Sequence, residues 1–408
     1  MGLQSLPPSG LESTPELRWR KGLCSGCTQG TSSSEDECRL GSAPEKRGKG
    51  RRRGAGARAG AAKPADDALG LQRISQEEVD RSAQRLSTGV QRWDTGCFRF
   101  VKKLQTANRN HGHVDVIWST AQGGPVACKR MPNRWITTGP GTFKAAHPRE
   151  TEHPWFDLGV QQILTEMKFP YACKILGIFR DSHHTHVLTS LATKGDLFSW
   201  SLNSPDPGPD REAAFFPLAK QVCHGMSWLH ELGIAHRDLS LENVLLTDGD
   251  DGNPQVQIID FGAATVEQSC QAEVRGKPTY QAPEMHESEP YDPYLADAFS
   301  LGVLLYSMAA QGYPWAATKA GSCQLFDYCM TWGARVFLQR RSVGPTAGES
   351  KVCEVISPGL LELLEVLLQT QPCNRASLGA GPRCIWRLPY LHCPEPPRTL
   401  GARHLCEL

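Results

Sequence analysis

The stretch HRDLSLENVLL at residues 236–246 joins charged side chains to an apolar run. Asp238 and Asn243 lie five positions apart, and the run from Val244 has the composition of a buried strand. A carboxylate can orient a hydroxyl group or accept its proton, and an amide oxygen can bind a metal ion. The stretch therefore predicts a loop that aligns a hydroxyl group beside a metal.

Two further segments carry groups that can bind phosphates and a metal ion. Together with an oriented hydroxyl group, these are what phosphoryl transfer requires. QVQIIDFGAAT at residues 255–265 is an apolar strand that ends in Asp260, a hard oxygen ligand for Mg²⁺, and Gly262 permits a turn. PVACKRM at residues 125–131 puts Lys129 on a strand, where its ammonium group can reach phosphate oxygens. The three segments together indicate transfer of a γ-phosphoryl group.

The same segments, in this order, resemble the signature motifs of the eukaryotic protein kinase family. The resemblance covers about residues 93–380 and consists of VACK at 126–129, HRD at 236–238, DFG at 260–262, APE at 282–284, DAFSLG at 297–302 and Arg375. It implies an α+β fold of two lobes, with a small β-rich N-lobe that has one main helix and a larger, mostly helical C-lobe. The departures described below are similar to those of divergent protist kinases.

We expect four segments along the chain. Residues 1–90 are rich in Gly, Ser, Pro, Arg and Ala and include EKRGKGRRRGAGARAG, which predicts a disordered basic tail. The N-lobe with its hinge is expected at 93–193 and the C-lobe at 194–380. An irregular tail is expected at 381–408.

Local patterns predict individual strands and helices within these lobes. HVDVIW and PVACKRM have the composition of strands, whereas REAAFFPLAKQVCHGMSWLHELG has apolar residues at helical spacing and Gly233 at its end. Ser357 and Pro358 predict the start of another helix in SPGLLELLEVLLQ.

The resemblance implies roles for the charged residues of the motifs. Lys129, Asp238, Asn243 and Asp260 would be catalytic, and Asn243 and Asp260 would hold the metal. The implied cofactors are ATP and Mg²⁺, with Mn²⁺ as an alternative ion. Protein substrates would be the partners.

A second group of residues corresponds to the family's nucleotide-binding cleft. Thr189 has the gatekeeper position, the backbone from Ser190 to Ala192 would hydrogen-bond adenine, and Asp196 would face the ribose. The apolar side chains of Val114, Ala127 and Leu245 would sandwich the base. The full set is Gly112, Val114, Ala127, Lys129, Thr189, Ser190, Ala192, Asp196 and Leu245.

The phosphate-covering loop departs from the family pattern of three glycines. The sequence ANRNHGHV at residues 107–114 keeps only the third glycine, Gly112, and the valine, Val114. Ala107 and Arg109 would hinder close approach of the backbone to phosphates, although Arg109 or His111 would add charge there. This loop is the strongest sequence argument for impaired nucleotide binding.

The helix glutamate that pairs with the strand lysine in the family is also absent, because Val160 has its position. Asp157 lies one turn earlier on the same helical face and is the expected partner of Lys129, with Glu152 or Glu150 as alternatives. The connection MPNRWITTGPGTFKAAHPRETEHPW before this helix is longer than the family norm. It is either a regulatory insertion or an inert surface loop.

Two changes near the catalytic aspartate occur together. The family has a lysine two residues after the aspartate, where this chain has Ser240, and a threonine where this chain has Lys277. Both family residues lie beside the same aspartate, here Asp238. We hypothesise that the lysine has been relocated to the opposite side of Asp238, and two unrelated losses are the alternative.

The segment between Asp260 and Glu284 corresponds to the family's activation segment. Arg237 is typical of kinases whose segment is ordered by a phosphate paired to arginine. The usual position of that phosphate is occupied by Glu273, whose charge is about half that of a phosphate. Glu273 is therefore either a built-in substitute or an exposed glutamate. In the family pattern, Glu284 pairs with the Arg375 position, and the Asp297 position braces the catalytic loop.

Composition and charge restrict the class of protein. The 408 residues carry a formal charge of +1 and 15 cysteines, and Cys24 and Cys27 form a lone C-x-x-C pair. We expect an intracellular protein, cytoplasmic or nuclear, without a secretory leader or membrane span. Nucleic acid would be contacted only weakly, through the basic tail.

The sequence thus predicts an ATP-dependent serine/threonine protein kinase, since GKPTYQAPE resembles the serine/threonine form of the activation segment. The alternative is a pseudokinase scaffold with little or no phosphoryl transfer, which the glycine-poor loop and Val160 favour.

Overall fold

The computed structural model describes residues 72–393, apart from 108–111, 250–251, 272 and 344–349. The basic run, the C-x-x-C pair and the centre of the phosphate loop therefore lie outside the described residues. A region of β-sheet is followed by a region of helices. In chain order the elements are α1 Gln76–Thr88, β1 Gln91–Arg92, β2 Phe98–Ala107, β3 Gly112–Ser119, β4 Gly124–Pro132, α2 Asn133–Ile136, α3 Pro140–Ala146, α4 Pro154–Glu166, β5 Ile175–Arg180, β6 His184–Thr189, α5 Leu197–Asn203, α6 Pro209–Glu231, β7 Val244–Asp248, β8 Pro254–Ile258, α7 Pro293–Ala310, α8 Gln324–Arg340, β9 Ser342–Val343, β10 Ser350–Lys351, α9 Val352–Val355, α10 Pro358–Leu367 and α11 Pro389–His392.

The larger sheet has the strand order β1-β5-β6-β4-β3-β2, and every pair except β1 with β5 is antiparallel. The predicted strands HVDVIW and PVACKRM are confirmed as β3 and β4. Within β4, Val126 and Cys128 are buried, whereas Ala127 and Lys129 are half-buried. Alternation along the strand therefore directs Ala127 and Lys129 to one face of the sheet.

The predicted helices of the second region are confirmed as α6 and α10. Gly233 follows the end of α6 with φ of +78°, a left-handed conformation that glycine adopts without strain. Ser357 caps α10 by accepting the Leu360 N–H at 3.2 Å, and its hydroxyl donates to Glu212 of α6 at 2.5 Å. Sequence signals at helix ends thus locate both elements correctly.

Helix α1 corrects the prediction of a disordered tail at residues 1–90. Ser75 and Glu78 form a reciprocal capping box, in which the Ser75 hydroxyl accepts from Glu78 N–H and the Glu78 carboxylate accepts from Ser75 N–H. Val79 and Ala83, four positions apart, are buried. The prediction is wrong for residues 72–90 because composition averaged over the whole tail hid one short amphipathic helix.

The long connection between β4 and α4 is folded. It contains α2 and α3, and its buried side chains Ile136 and Phe143 join Trp155 of α4 in one apolar core. The Trp155 indole N–H donates to the Ile136 carbonyl at 2.7 Å. The connection is therefore a packed part of the sheet region.

The predicted irregular tail at 381–408 is corrected for its first part. A 3₁₀ turn at Ile385–Arg387 and helix α11 bury Ile385 and Tyr390 against the helical region. Elements of three or four residues are too short for a periodic pattern to reveal. The segment 394–408 lies outside the described residues.

Helix α7 is the core helix of the helical region. It is long and apolar enough to cross a membrane by length and composition, but 89% of its 18 residues are buried inside the protein, as expected for a core helix. Asp297 on this helix is completely buried and accepts hydrogen bonds from the backbone N–H groups of His236 at 2.6 Å and Arg237 at 2.7 Å. The core helix thereby fixes the 236–246 loop.

Glu284 and Arg375 form a buried, two-pronged ion pair. Arg375 Nη1 lies 2.5 Å from Glu284 Oε1, and Nη2 lies 2.9 Å from Oε2. The Arg375 side chain is 0% exposed and the Glu284 side chain is 8% exposed. Arg375 also donates to the carbonyls of Gln369 and Leu295. The pair therefore fastens the end of the 260–284 segment to the helical region.

Breaking this pair is expected to destabilise the fold strongly. Arg375→Met leaves the Glu284 carboxylate buried without its cation, so the free energy of unfolding should fall by about 3–5 kcal/mol in chemical denaturation. The double variant Arg375→Met/Glu284→Leu should recover most of this loss. Arg81→Met, which removes an exposed ion pair with Glu77, is the control and should cost less than about 1 kcal/mol. A loss no larger than that of the control would contradict the assignment.

Candidate active site

The 236–246 loop meets the segment after β8 at two strained backbone positions. Arg237 has φ of +60° and Asp260 has φ of +69°, a region that residues other than glycine seldom adopt. The two N–H groups held by Asp297 stabilise the first position, and His230 Nε2 lies 3.0 Å from the same carboxylate. The His236 ring links the two segments, because Nε2 lies 3.0 Å from the Ile259 carbonyl oxygen. Such conformations persist only where surrounding contacts fix them.

In the 236–246 loop, Asp238 has one carboxylate oxygen without a hydrogen-bond partner among the described residues. Its Oδ1 has no hydrogen-bond partner among the described residues, whereas the Asn243 amide donates to its Oδ2 at 3.2 Å and to its backbone carbonyl at 2.7 Å. Burial raises the pKa of Asp238 above its ordinary value, with Asp260 contributing, while His236 and Lys277 oppose the increase. A buried acceptor without a partner fits a site for a substrate hydroxyl group.

The residues available for a metal are Asp260 and Asn243. Asn243 uses its NH₂ group on Asp238, which leaves the amide oxygen for a metal. No group of three or more His, Cys, Asp or Glu side chains within the described ranges could hold a metal ion by itself. One carboxylate and one amide oxygen fit Mg²⁺ shared with phosphates, because this ion usually takes few protein ligands.

Lys129 is paired with Asp157, the predicted alternative to the missing glutamate. Lys129 Nζ lies 3.3 Å from Asp157 Oδ2, and Asp157 Oδ1 accepts the backbone N–H of Phe261 at 2.9 Å. Burial alone lowers the pKa of Lys129, but the carboxylates of Asp157, Asp260 and Glu152 outweigh it and hold the pKa above its ordinary value. Val160 is completely buried in the apolar core. The lysine is therefore cationic, and one carboxylate joins it to the segment after β8.

Lys277 contacts Ser240 of the 236–246 loop. Lys277 Nζ donates to Ser240 Oγ at 2.8 Å and forms an ion pair with Glu242 Oε2 at 2.8 Å. The positive charge of Lys277 favours the ionised form of Asp238 and so opposes the rise in its pKa. The two altered positions thus face each other, with one cation and one hydroxyl between them.

Glu273 lies between two arginines. Its Oε2 is 2.7 Å from Arg237 Nη1 and 3.3 Å from Arg275 Nη2. Burial opposes ionisation of Glu273, but hydrogen bonding and charge from Arg237, aided by Arg275, hold the pKa below its ordinary value. Glu273 is therefore an ionised carboxylate held against the arginine that precedes Asp238.

Several residues predicted for the nucleotide cleft lie on one face of the larger sheet. Val114 lies opposite Lys129 in the β3–β4 pair, Ala127 lies opposite Thr189 in the β4–β6 pair, and Leu245 bridges to Asp196. Val114, Ala127 and Leu245 are half-buried, whereas the apolar residues next to them in the same strands are buried. Val114, Ala127, Lys129 and Thr189 therefore share one face of the sheet, and Leu245 and Asp196 lie side by side in the helical region.

The backbone after β6 offers a donor and an acceptor. The Ser190 N–H donates to the Lys174 carbonyl at 2.9 Å, so this amide is not available to adenine. The Ser190 carbonyl and the Ala192 N–H make no backbone hydrogen bond with described residues. Asp196 caps α5 by accepting Ser199 N–H at 2.7 Å through Oδ1, which leaves Oδ2 for a ribose.

Two parts of the site were not reached by sequence reasoning. The bond from Phe261 N–H to Asp157 and the contact of His230 with Asp297 join residues 104 and 67 positions apart, and no local pattern signals them. Gly112 begins β3 opposite Ala107, while Arg109 and His111 lie outside the described residues. The effect of the altered phosphate loop therefore stays a prediction.

Comparison with known proteins agrees with this geometry. The model of the family "Protein kinase domain" matches residues 158–386. The chain is 34% identical over 216 residues to cAMP-dependent protein kinase type 3 of Saccharomyces cerevisiae, covering 53% of this chain and 48% of the relative. It is 30% identical over 154 residues to calcium/calmodulin-dependent protein kinase type 1 of Macrobrachium nipponense, covering 38% and 43%. It is 27% identical over 212 residues to mitosis inducer protein kinase cdr1 of Schizosaccharomyces pombe, covering 50% and 34%.

The chain spans less than half the length of each of these relatives. The family match nevertheless covers more than half of this chain and includes the 236–246 loop, Asp260, Asp297 and Arg375. Members of the family generally use ATP and a divalent metal and act on proteins. From the match and the site geometry together, this chain belongs to the protein kinase domain family.

Proposed function

We propose that the protein is an active kinase that transfers the γ-phosphate of ATP to serine or threonine hydroxyls of protein substrates. The observation that carries this proposal is the Asp157 carboxylate, which contacts both Lys129 and the N–H of Phe261. It provides the ion pair that the missing helix glutamate otherwise provides. The fold then corresponds to an N-lobe with one main helix, α4, above a helical C-lobe.

Each catalytic side chain has a distinct task in this proposal. Lys129 holds phosphate oxygens with its ammonium group, and Asp238 orients the substrate hydroxyl through the oxygen that has no partner. Asn243 and Asp260 would hold Mg²⁺ or Mn²⁺, which neutralises phosphate charge when bound. The cleft of Val114, Ala127 and Leu245 would accept adenine against the Ser190 carbonyl and the Ala192 N–H.

Serine/threonine specificity rests on the GKPTYQAPE segment and on relatives named for this specificity, such as serine/threonine-protein kinase chk1 of Schizosaccharomyces pombe. We further propose an intracellular location and protein substrates, in keeping with this class of enzyme. The pseudokinase alternative is favoured only by the altered phosphate loop, because the second argument for it, Val160, is offset by Asp157.

ATP with Mg²⁺ is expected to raise the thermal unfolding midpoint, because a ligand that binds the folded state stabilises it. The protein should also incorporate γ-phosphate into a generic basic protein. Asp260→Ala should abolish incorporation, whereas Asp327→Ala, which changes an aspartate on α8 outside the site, should retain it. A raised midpoint without incorporation would contradict the proposal and favour the scaffold.

We propose that Lys277 supplies the cation that a lysine at position 240 supplies elsewhere in the family. The support is its contact with Ser240 and its charge effect on Asp238. In this arrangement Ser240 and Glu242 hold the ammonium group, and Lys277 lowers the free energy of negative charge near Asp238.

Lys277→Met is expected to lower kcat roughly 10- to 100-fold, as for loss of one preorganised charge. It should also raise the pKa of Asp238, and because Asp238 acts as the carboxylate, the acid limb of kcat/KM should move to higher pH. The double variant Ser240→Lys/Lys277→Thr should recover most of the activity. Lys319→Met, at an exposed lysine, is the control. Unchanged kcat in Lys277→Met, with Asp238→Asn inactive, would exclude the relocated lysine.

We also propose that Glu273 orders the activation segment without phosphorylation. Glu273→Ala and Glu273→Gln should both lower kcat, because each removes the charge that pairs with Arg237 and Arg275. The exposed Glu267→Ala is the control. Steady-state assays of unphosphorylated protein provide the measurement. Equal activity of Glu273→Gln and the wild type would show that Glu273 is a passive surface residue.

A further inference from the structure

Residues 73–88 contact both regions of the molecule, although they precede the part that matches the family model. We propose that this segment is an internal positioning element that holds α4 against the sheet and so sets the distance between Asp157 and Lys129. This inference rests on the proposed kinase function, because the consequence is an effect on phosphoryl transfer.

The start of the segment is attached to the helical region. The Ile74 N–H donates to the Leu232 carbonyl at 2.8 Å, and Ile74 is buried. The Arg73 guanidinium lies over the Tyr294 ring at 5.7 Å, and its side chain lies 3.4 Å from the position of a Cβ atom on Gly233. A hydrogen bond, a buried apolar side chain and a cation–π contact thus fix this end.

The helical part of the segment is attached to α4. Val79 is completely buried, and the Ser82 hydroxyl donates to the Gly159 carbonyl at 3.1 Å. A Cβ atom on Gly159 would lie 2.8 Å from the Val79 carbonyl oxygen and 3.2 Å from the Ala83 Cβ. The two helices are so close that only glycine fits at position 159.

The contact lies on the opposite side of α4 from the catalytic pair. Asp157 and Gly159 are two positions apart, which on an α-helix corresponds to about 200° of rotation. Helix α1 therefore packs behind α4, while Asp157 faces Lys129 in front. Outward movement of α4 would require α1 to move as well, and the Ile74 and Arg73 contacts oppose that movement.

The ion pair is sensitive to such a movement. Asp157 has a shorter side chain than glutamate and lies one turn earlier, yet it reaches Lys129 at 3.3 Å. A displacement of about 1 Å in a catalytic arrangement can cost up to about 100-fold in rate. Val79, Ser82 and Ala83 are accordingly positioning residues, which act on the reaction through α4 and touch no reacting atom.

Full-length variants test this proposal. Val79→Asp puts a charge into the buried contact, and Gly159→Ala adds one methyl group that favours helix but collides with Val79. Each should lower kcat roughly 10- to 100-fold. The KM for the protein substrate should stay unchanged, because the helical region is intact. Hydrogen–deuterium exchange of residues 154–166 should become faster.

Two matched variants complete the experiment. Gln84→Asp puts the same charge on the exposed face of α1, and Gly141→Ala adds the same methyl group on α3 where it meets open space, so both should retain wild-type kcat and exchange. If Val79→Asp does not fold, Gly159→Ala alone decides. Wild-type kcat and exchange in Gly159→Ala would overturn the proposal. If the wild type itself transfers no phosphate, the kinase function fails, and the exchange data still test the contact between α1 and α4.

Discussion

The pairing of the Asp157 carboxylate with Lys129 and with the Phe261 N–H is the interaction on which the proposed active site depends. One oxygen accepts from the ammonium group of Lys129 on the sheet, and the other accepts from the backbone of Phe261 after β8. A buried carboxylate is costly unless both oxygens are satisfied, and here two different segments satisfy them. The carboxylate therefore joins helix α4 to strand β4 and to the segment after β8.

Two other departures from the family pattern also place a charged side chain close to the 236–246 loop. Lys277 approaches Ser240 from the opposite direction, and Glu273 stands between two arginines where other members carry a phosphate. In the proposed function, Lys277 supplies its charge from a different chain position, whereas Glu273 supplies a smaller negative charge at the usual position of the phosphate. Because electrostatic stabilisation depends on where a charge lies rather than on which segment carries it, the altered motifs are compatible with catalysis.

The residues of the candidate site could be predicted from the sequence because phosphoryl transfer requires particular side chains at short, fixed spacings. The strands around Lys129, the helix after Ser357 and the pairing of Lys129 with Asp157 could all be predicted. Helix α1 could not, because its capping box and two buried residues were diluted by a long polar segment. The bond between Asp157 and Phe261 could not either, since it depends on how two distant segments meet.

We propose that Asp157, Lys277 and Glu273 together make this chain a working kinase. The decisive measurement is mass spectrometry of the full-length protein after incubation with ATP and Mg²⁺, with Asp238→Asn as the inactive reference. We predict new phosphoserine or phosphothreonine residues in the wild type and none in Asp238→Asn. Wild-type protein that binds ATP but carries no new phosphate would contradict the account.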